Sequence, residues 1–126
     1  MENFISSNAF SKIDFLKLRD SISEAVVPVV VQHIDTKEVL LLAYVNEFSL
    51  KLSIQKKQAV FWSTSRNELW HKGSTSGDFL NLCGIKVNCK NNTLLFFVRP
   101  ENTGVCHVKD AKGISHSTCF FKDIHS

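Results

Sequence analysis

The 126-residue chain predicts a mostly β fold of the α+β class: an antiparallel β-domain with two short helices. Three observations carry that prediction. Short β-branched and apolar runs recur along the chain, polar turn formers separate them, and only two stretches combine a helix cap with helical apolar spacing. At this length one domain is expected, and roughly two-thirds of the unfolded surface can be buried without disulfide staples.

The elements follow in order. Residues 1–26 are read as an N-terminal segment with a short helix. Ser11 and Asp14 have capping-box spacing, and Leu16, Leu18 and Ile22 follow them. Residues 27–126 are read as the main domain. Val26–Val31 is β-branched and predicts a strand with Pro28 near its start. Asp35–Glu38 is a turn, and Val39–Val45 is the returning strand of a hairpin over 27–45. Asn46 caps a second helix carrying Phe48, Leu52 and Ile54. Ala59–Trp62 is a third strand. Phe79–Cys89 and Thr93–Arg99 are two more, joined by the turn Lys90-Asn91-Asn92. Thr118–Phe121 is a last short strand. The polar segments 63–78 and 100–117 are long for simple turns, and loops of that length are often functional.

Composition excludes several classes. Hydrophobic residues make up 44% and charged residues 21%, which is ordinary for a globular domain. The net charge is +3, and the basic residues are scattered, so no nucleic-acid surface is expected. No apolar run approaches the length of a membrane span, and the first residues do not read as a secretory signal. A reducing, cytoplasmic setting is expected, in which cysteines serve as metal ligands or nucleophiles rather than disulfides.

Two constellations carry chemistry. Cys89, Cys106 and Cys119 supply three thiolates, a set that binds zinc and leaves a fourth position for water. By spacing alone the alternative stands beside it: separate buried cysteines, packing as small hydrophobes. Cys83 is read as core. The second constellation, Trp62 to Gly77, gathers hydroxyls, Arg66, Lys72 and the glycines Gly73 and Gly77. Such a stretch suits a phosphate, and it equally suits a solvated loop rich in turn formers.

These residues resemble a known family. The pieces Trp62-Ser-x-Ser-Arg66, Leu69-Trp-His-Lys-Gly73 and Thr75-Ser-Gly77 are similar to the signature of phosphoribosyl-AMP cyclohydrolases. So are Val30–Gln32, Glu38–Glu47, Gly104-Val-Cys-His107 and Ser117-Thr-Cys-Phe-Phe121. The resemblance covers residues 27–122. It implies a zinc-dependent hydrolase of histidine biosynthesis that opens the adenine ring of phosphoribosyl-AMP between N1 and C6. It implies zinc on Cys89, Cys106 and Cys119, and attack of the activated water on C6. His107 is implied as the proton-transferring group, with a role orienting the metal site as the alternative. Phosphate binding falls to Arg66 and Lys72 with Ser74, Thr75 and Ser76. Trp62 and Trp70 are read as core ahead of base-stacking. The resemblance also implies an intertwined homodimer with its sites at the subunit interface.

Three departures from the family pattern stand out. Acids that surround the first cysteine and bind magnesium in the family are replaced by Asn88, Lys90 and Asn92, so loss of the magnesium site is expected. Lys90 as a substitute cation, a diverged nucleotide-like substrate, and a non-catalytic zinc-binding homologue are the competing consequences. Twelve residues separate Cys106 from Cys119, roughly double the family's usual spacing. The extra segment, residues 108–116, reads as a small hairpin turning at Lys112-Gly113. Its His116 is either a fourth zinc ligand or an exposed loop residue. His33 stands where the family tends to carry an acid; it either touches substrate or ends an exposed strand.

Overall fold

The computed structural model describes residues 13, 25–102 and 104–124. Strand β1, Val27–His33, alternates side chains so that Val27, Val29 and Val31 are buried. It turns back into β2, Val39–Val45, with Val27 opposite Val45 and a bulge between Val31 and Gln32. The turn is held by His33 N–H on the Glu38 carbonyl. His33 Nδ1 accepts the N–H groups of Asp35 and Thr36, so this histidine closes its own turn.

Helix α1, Glu47–Lys56, starts at Asn46. Asn46 Oδ1 accepts Ser49 N–H at 2.8 Å, and Ser49 Oγ accepts Asn46 N–H at 2.9 Å, which satisfies two donors the helix end would otherwise leave unpaired. Lys57 ends it in the left-handed conformation. Strands β3, Val60–Ser63, and β4, Glu68–His71, form a hairpin of their own. Strands β5, Leu80–Val87, and β6, Leu94–Pro100, form another, with a bulge at Cys83.

The main sheet has the order β2-β1-β6-β5. Its central pair, β1 with β6, is parallel and the other neighbours are antiparallel, so the sheet is mixed rather than antiparallel throughout as expected. The second sheet is the β3–β4 hairpin. Segment 57–59 fastens it to the start of β5: Ala59 N–H donates to the Leu80 carbonyl and Leu82 N–H to that of Lys57. Phe61 from β3 stacks on Phe96 of β6 and tilts against Trp70 of β4, which joins the two sheets through one core.

Several expectations need correction. Among the described residues there is one helix; the helix expected near residues 11–22 lies outside them, apart from Ile13, which is buried in the core. Segment 63–78 is not one loop, because β4 lies within it. Thr118–Phe121 is not a strand. It is tied to β2 by Cys119 N–H on the Leu40 carbonyl and by the Thr118 hydroxyl, too few bonds to continue a ladder. Cys83 is half-buried at the bulge rather than in the core, with Arg99 Nη1 3.9 Å from its sulfur. Hairpin 108–116 forms as expected: Asp110 N–H donates to the Ile114 carbonyl, and Gly113 turns the chain at φ 77°. No helix among the described residues is long and apolar enough to cross a membrane.

Candidate active site

A cavity of about 360 Å³ opens where the end of β4 and the loop after it face the segment leading to Cys119. Leu41, Leu42 and Trp70 give it an apolar floor. Lys72 to Ser76 and Asp78 line one wall, and Val105, Cys106, His107, Lys109, Ser115 and Cys119 line the other.

The first wall is built by backbone geometry. Lys72 N–H bonds to the Ala59 carbonyl, extending the end of β4. Ser74 N–H then bonds to His71 and Gly77 N–H to Gly73, which coils the loop tightly. Gly73 has φ 97°, and a Cβ there would collide with the Phe79 backbone, so only glycine fits. Asn102 Nδ2 donates to the Gly77 carbonyl and to Asp78 Oδ1, bracing the loop from outside.

Lys72 is 7% exposed, and its Nζ reaches the Asp78 carbonyl at 3.4 Å. Burial draws its pKa below the ordinary lysine value, while Asp78, Cys106 and Cys119 pull the other way. His71 is held by Gln58 Oε1 at 2.9 Å and packs on Phe79. Burial, with the charge of Lys56, lowers its pKa.

The second wall hangs on one carbonyl. The N–H groups of Val105 and Cys106 both donate to the His116 carbonyl. Cys106 is buried, and its sulfur accepts Val108 N–H. Cys119 lies at the exposed mouth. Its thiol is pushed up by desolvation and by the adjoining Cys106 sulfur, against the pull of Lys72. Two soft donors and a buried cation therefore share the cavity.

The comparisons with known proteins bear on this same region. The family model described as phosphoribosyl-AMP cyclohydrolase matches residues 41–121. A phosphoribosyl-AMP cyclohydrolase of Streptococcus thermophilus is 44% identical over 90% of this chain and 91% of its own. One from Clostridium beijerinckii is 38% identical over 90% and 93%, and one from Chlorobaculum parvum 36% over 94% and 81%. The chain belongs to the phosphoribosyl-AMP cyclohydrolase family.

The cyclohydrolase signature residues are distributed unevenly around the cavity. Lys72, Ser74, Thr75, Ser76, Cys106, His107 and Cys119 all line it. Arg66 does not: it sits on the β3–β4 turn, 3.5 Å from Glu68. Cys89 and Lys90 are exposed on the β5–β6 turn, outside the lining. In that turn Asn88 Oδ1 accepts the N–H groups of Asn92 and Thr93, and Asn88 Nδ2 donates to Asn92 Oδ1 at 2.7 Å. Asn88 and Asn92 are thus spent on each other and on the turn. His116 stacks on Phe121 at 3.7 Å. Trp70 serves both core and cavity floor; Trp62 is half-buried with an indole N–H that has no partner among the described residues. Asp78, Val105, Lys109 and Ser115 were not singled out from sequence as site residues. Asp78 follows the Thr-Ser-Gly piece directly, and that adjacency is the one signal that points to it.

Cysteine thiolates are soft donors suited to zinc, so Cys106 and Cys119 fit that ion. Among the described residues no group of three or more His, Cys, Asp or Glu is placed to hold a metal within one chain.

Proposed function

We propose that this protein hydrolyses phosphoribosyl-AMP, opening the adenine ring between N1 and C6 in histidine biosynthesis, with zinc bound at Cys106 and Cys119. The observation that supports this most is the cavity that joins those two cysteines to His107, Lys72 and the hydroxyl loop, all inside the region that matches the family. The third ligand is Cys89 of a second copy, because Cys89 of the same chain is exposed on a turn outside the cavity. The functional unit is therefore a homodimer.

When bound, zinc would lower the pKa of a coordinated water toward neutrality and supply the nucleophile. The chain's own groups do the rest. Ser74, Thr75 and Ser76 present hydroxyls to a phosphate, and Lys72 supplies the buried positive charge. Leu41, Leu42 and Val105 limit water around the ring, which strengthens every charge interaction inside. His107 is exposed at the cavity wall beside Cys106, where its imidazole can take and return the proton moved in ring opening. Magnesium has no carboxylates at Asn88, Lys90 and Asn92, and the asparagines are already bonded within the turn. Activity without magnesium is the expectation.

The test is ring opening followed by absorbance with zinc-loaded protein. Turnover unchanged by added magnesium is expected. Cys106→Ser should lose both zinc and turnover. A zinc-replete protein that leaves phosphoribosyl-AMP intact would overturn the assignment, as would a Cys106→Ser protein that keeps stoichiometric zinc.

A further inference from the structure

Phosphoribosyl-AMP has a phosphate at each end, one on the phosphoribosyl group and one on the AMP. Each carries a charge of about −1.5 to −2 near neutral pH. A cavity that takes both ends needs more than one cation. Lys72 is one, but it is buried, bonded to the Asp78 carbonyl and influenced by Asp78, Cys106 and Cys119. Within one chain Arg66 pairs with Glu68 on a turn outside the cavity, and Lys90 lies on the turn that carries Cys89.

Lys109 is placed differently. It lines the same cavity as Ser74, Thr75 and Ser76 from a separate chain segment, it is exposed, and it forms no ion pair among the described residues. The hairpin that carries it is anchored at both ends. Asp110 Oδ1 accepts the N–H groups of Lys112 and Ile114 at 2.8 and 3.0 Å, and His116 N–H donates to the Val108 carbonyl. At its base the His116 carbonyl holds Val105 and Cys106, and the His116 ring lies flat on Phe121. Gly104 lets the hairpin close: a Cβ there would stand 2.5 Å from that of Ser115. On a pre-formed hairpin only the lysine side chain, not its backbone, has to be ordered when a ligand binds.

We propose that Lys109 is a second phosphate-binding residue, which receives one end of the substrate while the loop 72–76 receives the other. This rests on the function proposed above. The experiment uses zinc-loaded protein and two kinds of readout. In the turnover assay Lys109→Ala should raise KM about tenfold with kcat within about twofold, and Lys109→Arg should restore it. In calorimetry with two probes, AMP and ribose 5-phosphate, Lys109→Ala should weaken one of them about tenfold and leave the other unchanged. Lys112→Ala, on the same hairpin but outside the lining, is the control for general surface charge. Unchanged binding of both probes, equal loss of both, or an equal effect from Lys112→Ala would overturn the proposal. A wild-type protein that does not turn over phosphoribosyl-AMP, yet loses one probe in Lys109→Ala, would remove the proposed reaction and retain the phosphate site.

Discussion

Gly73 shows how much one residue can decide. It sits at φ 97°, a region costing an L-residue about 1–2 kcal/mol, and a Cβ would also meet the Phe79 backbone. Gly73→Ala should therefore lower stability by more than about 2 kcal/mol in denaturant unfolding. Gly113 has a similar φ of 77° but open space around it, so Gly113→Ala should lose only about 1 kcal/mol. Equal losses at the two sites would show that the close approach at Gly73 contributes nothing. At this scale the sequence was informative about the first wall: two glycines among hydroxyls already mark a chain that packs closely on itself or on a ligand. The sequence groups Arg66 with Lys72, and within one chain the β3–β4 turn sets Arg66 beside Glu68, outside the cavity. It is misleading about Cys83. The apolar neighbours of Cys83 predict it in the core. A bulge changes which way a strand residue faces, and Gly84, next along the strand, is its local signal.

Elements with their own punctuation were readable. Helix α1 begins at the asparagine that predicts it, because Asn46 and Ser49 satisfy each other's backbone donors within four residues. What fastens that helix was not readable. Ser53 Oγ accepts Val60 N–H at 2.8 Å and lies within 2.9 Å of the Ser49 and Val60 carbonyls, with one proton to give them. The serine is buried, and Val60 is 2% exposed. Ser53→Ala leaves the Val60 N–H unpaired and should cost about 1–3 kcal/mol, measured by the denaturation midpoint at constant m. A change within about 0.5 kcal/mol would show that the amide finds another acceptor. Strand β4 is not legible locally because it has four residues between turn formers, and Phe61 and Trp70 of its pairing with β3 meet in the core. Thr118–Phe121 erred in the other direction. Its residues have β propensity, but propensity needs a partner edge, and β2 gives it one backbone bond.

The whole molecule sets Cys106 and Cys119 together and leaves Cys89 apart, although all three lie in the region that matches one family. A zinc site made from Cys89 of one copy and the other two of its partner has a direct consequence. Cys89→Ser and Cys106→Ser proteins, each inactive alone, should recover part of the activity and zinc content when unfolded together and refolded as a mixture. No recovery beyond the separately refolded controls would place all three ligands in one chain or remove Cys89 from the set. The sequence by itself determined the class, most strands, the capped helix, the hairpin at 108–116 and the family, because these are written in local periodicity, turn chemistry and contiguous motifs. Only the tertiary structure decided that β1 lies parallel to β6, that Lys72 is buried beside two cysteines, and that Lys109 and Ser115 complete the cavity wall. Those facts depend on which chain segments, tens of residues apart, are driven together by burial of the core that Phe61, Trp70 and Phe96 share. Such pairing is a competition among all apolar faces at once, and no short window of sequence contains it.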